Sequence, residues 1–423
     1  MHKFLDFFDE FTTLLITRAL NKTDNWILIR GAKQLLTLRG GSGGRRGTEL
    51  SELGLITDGS ILLRNNIIDS VGPTRQIENK TEARHAVEIS AAGRVVMPAF
   101  IDPHACLVPV PGYGDEGPKH IHSVSAMRLE AEADWLLKLM ARHGTGTVGA
   151  LSGRGHDISG ELKSLRAMRA RDGKPVDIVP ILYLIHDGHA GPHATSHFSV
   201  AGSHELINTV SNRKLASMVA IQCGIEGVPR AAAESLLSRA RSLKLEVRLE
   251  MAPECDPDVI EMAVNAGVRS VCGPVSYGIS EMVLLSHSST FAILLPQLVP
   301  TGGPPGSARP LIDHGVLLAL GSALSPEARG TASMQTVIQS AVERLGLSLA
   351  EAISAATINA AWALGVGSHS GSLEARKAGD VILLDVSDYR EIPMLAGTNL
   401  THSMLKRGVI LFKEDFPGWP SAA

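Results

Sequence analysis

Hydrophobic positions along the chain change period twice. From Trp26 to about Val95 they form short β-like runs, WILIRGAKQLLTL, GSILLRNNIIDSVGP and HAVEI, separated by turn-rich segments such as RGGSGGRRGTE. That is the pattern of a small all-β module. From Val96 onward, eight apolar runs alternate with helical stretches: VVMPAFID, GTVGAL, DIVPILYLIH, MVAIQC, LEVRLEM, VRSVCG, FAILLP and LLALGS. Runs this apolar predict parallel strands buried on both faces by crossover helices, an α/β fold of the (β/α)8 TIM-like barrel type. After the helical SLAEAISAATINAAWALGV, β character returns in GDVILLD and MLKRGVILFKED. The simplest construction is a small β-sandwich domain built from both chain ends, residues 25–96 and 367–415, around a barrel at 97–366. Residues 1–24 read as a helical N-terminal extension, amphipathic because Asp6, Asp9 and Glu10 interrupt its apolar positions, and without the continuous core of a signal peptide.

Composition narrows the function classes. At 423 residues and 44% hydrophobic, the chain is long enough for a large barrel and an accessory domain. A net charge of −3 gives no electrostatic case for binding nucleic acid or an anionic membrane. No uncharged apolar run is long enough to span a bilayer. The four cysteines, at 106, 223, 255 and 272, have no CxxC spacing, which argues against a disulfide framework and for a reducing, cytoplasmic setting.

The chemistry concentrates in VMPAFIDPHACL, residues 96–107. Residues i and i+2 of a strand project to the same side, so His104 and Cys106 at a strand end present an imidazole and a thiol toward one point. Thiolate and imidazole both ligate zinc; the pair reads equally well as a small buried thiol beside a core histidine. His186, His189, His193 and His197 crowd HDGHAGPHATSH, but loop histidines are usually solvated. GGSGGRR has the glycines of a phosphate loop without its Lys-Ser/Thr or following helix, so it reads as a flexible turn.

Several segments together resemble the imidazolonepropionases of the amidohydrolase superfamily. They are RRGTELSELGLITDGSILLRNNIIDSVGP, PAFIDPH, GTGTVGALSGRGHD, ARPLIDHGVLLALGS, the run from AISAATINAAWALGV through DVSDYREIP, and LAGTNLTHSMLKRGVI. The resemblance implies a metal-dependent barrel that hydrolyses the ring C–N bond of imidazolone propionate in histidine degradation. It further implies a zinc or iron ion, a small-molecule ligand and a homodimer. The family's first ligand is matched by His104, its second is replaced by Cys106, and its third falls at Glu250, a residue able to ligate zinc. The histidine of the next strand falls at Gly273, and the aspartate of the eighth strand, which binds metal and accepts the water's proton, falls at Ala323. Ser322 is adjacent, but its hydroxyl is a poor base and alternation turns it to the other face. Glu116 stands where an arginine would clamp the substrate carboxylate. His186 and Arg154 fall at substrate-contacting positions, and His186 with Glu250 would carry what catalysis remains. Three expectations follow: a degraded centre with metal weak or absent and the usual activity lost or altered; an active zinc hydrolase of a different substrate using His104, Cys106 and Glu250; or ordinary imidazolonepropionase activity, which the scaffold suggests and the site residues oppose.

Overall fold

Strand β1 (Trp26–Leu36) organises the first sheet because it is paired along both edges. On one side it runs antiparallel to β2 (Leu55–Arg64), which continues to β3 (Ile67–Pro73). On the other it runs parallel to β4 (Val87–Ser90) and then to β5 (Val95–Pro98). β5 pairs with β14 (Val381–Leu384), and β15 (Thr401–Lys406) and β16 (Val409–Lys413) complete the ladder from the C-terminal part of the chain. One face of this sheet buries Ile29, Leu35, Ile61, Leu63, Val96, Val381, Leu383 and Leu405 as a single apolar cluster. The protein is therefore a (β/α)8 barrel joined to a β-sandwich domain fed from both chain ends.

The computed structural model describes residues 25–40, 42–108, 121, 124–152, 158–184, 199–223, 228–251, 258–273, 277–299, 308–325, 330–395 and 397–413. The expected N-terminal extension, residues 1–24, lies outside them, as do Glu116, Arg154, His186, His189, His193, His197 and Cys255.

A single residue, Ala99, separates β5 from the first barrel strand. The barrel's eight parallel strands are β6 (Phe100–Ala105), β7 (Thr145–Leu151), β8 (Asp177–Leu184), β9 (Met218–Cys223), β10 (Glu246–Met251), β11 (Ser270–Cys272), β12 (Phe291–Leu294) and β13 (Leu317–Leu320), hydrogen-bonded in chain order. The ring is drawn shut past the end of β13, where Ala105 and Leu324 form a parallel bridge and the Cys106 amide donates to Leu324 O at 2.7 Å. Crossover helices include α1 (Ala126–Arg142), whose Ser125 side chain caps the Arg128 amide and whose buried stripe is Leu129, Ala133, Leu137 and Met140. Inside the ring, Ile101, Ile181, Met218, Ala220, Phe291, Ile293, Leu317 and Ala319 fill the space with side chains. It is a packed core rather than a channel. Among the described residues, no helix is long and apolar enough to cross a membrane.

The two domains share a buried ion network. Lys406 on β15 is 5% exposed and places Nζ 2.6 Å from Asp380 Oδ2 and 2.8 Å from Asp177 Oδ2 at the start of β8. Asp380 is itself only 4% exposed. Removing one partner of a buried pair leaves the other charge uncompensated, which typically costs about 3–5 kcal/mol. Lys406→Met should accordingly lower the unfolding free energy by about that amount in urea titrations, whereas Arg390→Met, at an exposed pair with Asp388, should cost no more than about 1 kcal/mol.

Candidate functional site

The end of β6 is held by a buried carboxylate that sequence reasoning passed over. Asp102 is fully buried, and its Oδ1 accepts hydrogen bonds from the Ser322 and His104 amides, each at 3.0 Å. Its Oδ2 accepts from the Ser322 hydroxyl at 2.5 Å. Burial pushes the Asp102 carboxyl above its ordinary value, against the opposing pull of the Ser322 and His104 hydrogen bonds. Ser322 thus faces Asp102, as alternation implied, and serves as a strut between β6 and the end of β13. Gly321 permits the close approach, since a Cβ there would stand 2.8 Å from the Cβ of His104.

So fixed, His104 directs its imidazole at Glu250 on β10, with Nε2 3.4 Å from Oε2. Register places Glu250 level with Gln222 on β9 and Cys272 on β11. His104, Glu250 and Cys272 offer a nitrogen, an oxygen and a sulfur that all lie within 4.8 Å of one another. Burial, and then the neighbouring Glu250 carboxylate, push the Cys272 thiol well above its ordinary value. Burial also opposes ionisation of Glu250, but the Arg248 charge and contacts from His104 and Cys272 outweigh it and hold the carboxyl below the usual range.

Cys106 is not a member of this cluster. The expectation that His104 and Cys106 face one point rested on regular alternation, and the pairing of β6 with β7 is irregular between Asp102 and Ala105. The strand has turned by Cys106, whose thiol donates to Val108 O at 3.7 Å. It lines a separate cavity of about 540 Å³ together with Arg128, Trp135, Leu136 and Leu324. The sulfur that accompanies His104 and Glu250 comes instead from Cys272, one residue before the glycine that falls at the family's histidine. A side chain at 273 has no room, because a Cβ there would stand 2.6 Å from Met251 O.

Arg248 is the other group the sequence reading missed. Its side chain is completely buried, two residues before Glu250 and on the same face of β10. Its register neighbours are Ala220 and Ser270, small residues that leave space for a guanidinium inside the ring. Nη1 donates to Pro103 O on β6 at 2.7 Å, and Nε lies 2.6 Å from Glu250 Oε1. The alternation of EVRLE was the available signal, since it puts Arg248 and Glu250 on one face.

At the end of β13, Ala323 is 2% exposed, belongs to the apolar cluster inside the ring and has φ +54°. The left-handed region costs an alanine about 1–2 kcal/mol and is visited more readily by Asp and Asn. The backbone at 323 therefore suits an aspartate better than the residue it carries.

These donors match a three-ligand zinc site in type. In the same place a guanidinium lies against one oxygen of Glu250, and position 323 supplies no side-chain ligand atom. At that separation the Arg248–Glu250 attraction is on the order of 5 kcal/mol at an intermediate dielectric, before desolvation is charged against it.

The chain's relatives agree with this architecture. The Amidohydrolase family model matches residues 303–410. The imidazolonepropionase of Rubrobacter xylanophilus is 31% identical over 403 residues, covering 88% of this chain and 95% of its own. That of Brevibacillus brevis is 30% identical over 428 residues, covering 92% and 98%. Among solved structures, an amidohydrolase from a Sargasso Sea environmental sample superposes with a TM-score of 0.71 at 17% identity, covering 92% of this chain and 94% of that one. Aspergillus niger ochratoxinase gives 0.70 at 16% identity, covering 95% and 99%. These structural likenesses establish the fold.

The strut at Asp102 makes a stability prediction. Ser322→Ala removes a hydroxyl donor from a buried carboxylate and should cost about 1–3 kcal/mol. The penalty depends on pH. A carboxyl whose folded pKa is raised is neutral in both states below its unfolded value, and its burial cost is fully present only above the folded one. Stability should therefore fall as pH rises through that window, and the fall should be larger in Ser322→Ala, measured as urea midpoints from pH 3 to 8.

Proposed function

The chain belongs to the imidazolonepropionase family of amidohydrolases, and from that premise we propose that it is a member whose hydrolytic centre has been remodelled, so that opening of the imidazolone propionate ring is lost or altered. The observation that carries the reading is Ala323, an apolar side chain at the position matching the family's aspartate. An aspartate there would bind the ion and take the proton of the attacking water. General-base assistance of that kind is worth about 10²–10⁴-fold, and the neighbouring Ser322 is committed to Asp102.

His104 and Glu250 keep the places of two family ligands, and His186 and Arg154 keep substrate-contacting positions by the resemblance. We assign the protein a small-molecule ligand on that basis. Glu116, by the same mapping, opposes a propionate carboxylate. A reducing, cytoplasmic setting and the homodimer implied by the resemblance are both part of the proposal.

A second reading, an active zinc hydrolase of a different substrate, draws on one observation: the three donor atoms of His104, Glu250 and Cys272 within 4.8 Å. In that reading Cys272 takes the part first expected of Cys106.

The assay is turnover of imidazolone propionate by protein supplied with zinc or iron, beside the Rubrobacter xylanophilus relative. Turnover should be lower by at least about 10²–10⁴-fold. Ala323→Asp alone should recover little of it, because residues that act as a unit are grossly non-additive. Turnover matching the relative would overturn the proposal, and efficient hydrolysis of another cyclic amide would promote the zinc-hydrolase reading.

A further inference from the structure

Arg248 places a permanent charge at the centre of a barrel whose packing does not require one. Its side chain is fully buried, and its layer-mates Ala220 and Ser270 are small enough that an apolar residue of similar volume would fill the same space. Arginine cannot shed its proton in a protein, so the charge is fixed whatever happens around it. Nε lies 2.6 Å from Glu250 Oε1, and Nη1 donates to Pro103 O, the residue before His104. The guanidinium therefore touches two of the elements that form the His104, Glu250 and Cys272 cluster, and it contacts the only carboxylate in it. A divalent ion entering that cluster would have to share Glu250 with the guanidinium and stand near its positive charge in a medium of low dielectric.

We propose that Arg248 is a resident cation standing in for a metal ion: it balances Glu250, ties that balance to the strand bearing His104, and keeps divalent ions out of the cluster. The inference rests on the remodelled-centre reading and adds its physical cause. It makes a specific demand on the molecule. With Arg248 present, an ion entering the cluster meets a like charge lying 2.6 Å from Glu250 Oε1, although Arg248 Nε and Nη2 and Glu250 Oε1 have no hydrogen-bond partner among the described residues; with Arg248 neutralised, Glu250 is a buried carboxylate without its charge partner, and an ion becomes the group that completes the site.

The experiment compares wild type, Arg248→Met and the neutral pair Arg248→Met/Glu250→Gln. Zinc affinity is read by competition with a chromophoric chelator, and thermal melting is followed with chelator and with zinc. Wild type should compete weakly and melt at the same temperature in both conditions. Arg248→Met should melt lower in chelator, regain its midpoint with zinc, and bind zinc at least about tenfold more tightly than wild type, since a ligand that binds the folded state stabilises it by mass action. The neutral pair should fold without zinc and show no zinc response. Cobalt(II) in Arg248→Met should give thiolate charge-transfer absorption that disappears on adding Cys272→Ser and persists on adding Cys106→Ser.

If Arg248→Met gains neither affinity nor zinc-dependent stability, or stays unfolded with zinc present, the inference fails and the remodelled-centre reading stands. If wild type already binds zinc stoichiometrically and as tightly as Arg248→Met, both fail together.

Discussion

Within the ring of strands, the guanidinium of Arg248 is surrounded by side chains that are mostly apolar, and a charge in such a place persists only when an opposite charge and hydrogen-bond acceptors meet it. Glu250 supplies the charge and Pro103 O accepts from Nη1, while Nε and Nη2 have no hydrogen-bond partner among the described residues. Position follows from this pairing. Glu250 is drawn toward Arg248 on its own strand while His104 approaches its other oxygen, and Cys272 comes level with it by register. The cluster can be described as an ion pair with a histidine and a thiol beside it as readily as a set of ligands. Which description governs its chemistry turns on whether an ion or the guanidinium 2.6 Å away holds Glu250 more strongly.

Around this pair, much of a hydrolase scaffold is intact. The Asp102 strut, with Ser322 and the His104 amide, holds the β6 terminus against the end of β13, the seam where the barrel closes. The left-handed backbone at Ala323 is likewise a conformation that an aspartate would occupy more comfortably. In the proposed reading, scaffold and chemistry have separated: hydrogen bonds that shape the pocket remain, while Ala323 offers no group to move a proton. Fold by itself does not carry function, and the proposed difference rests on a few side chains at the ends of the barrel strands.

The sequence made the architecture legible because the barrel strands are predominantly apolar runs alternating with helical stretches, and because the β-like runs at both ends differ from them in period. β5 and β14, near positions 96 and 382, do pair across nearly the whole barrel sequence to build one sheet. The site was legible only in part. His104 and Glu250 sit at strand ends, where the barrel rule places functional residues, and they meet. Cys106 did not follow, because the i, i+2 rule holds only along regular pairing and the ladder breaks before it. Cys272 was visible as a residue near a strand end, but register with Glu250 is a three-dimensional fact. Arg248 was passed over because an arginine inside LEVRLEM looks like an interruption of an apolar strand, and only the small residues at 220 and 270, distant in sequence, explain how it fits.

In the proposed reading, Arg248 balances this centre without a metal ion. Elemental analysis of the protein, purified with neither added metal nor chelator, tests it most directly. Zinc and iron together should come to well below one ion per chain, whereas one ion per chain retained through extensive dialysis would rule that reading out.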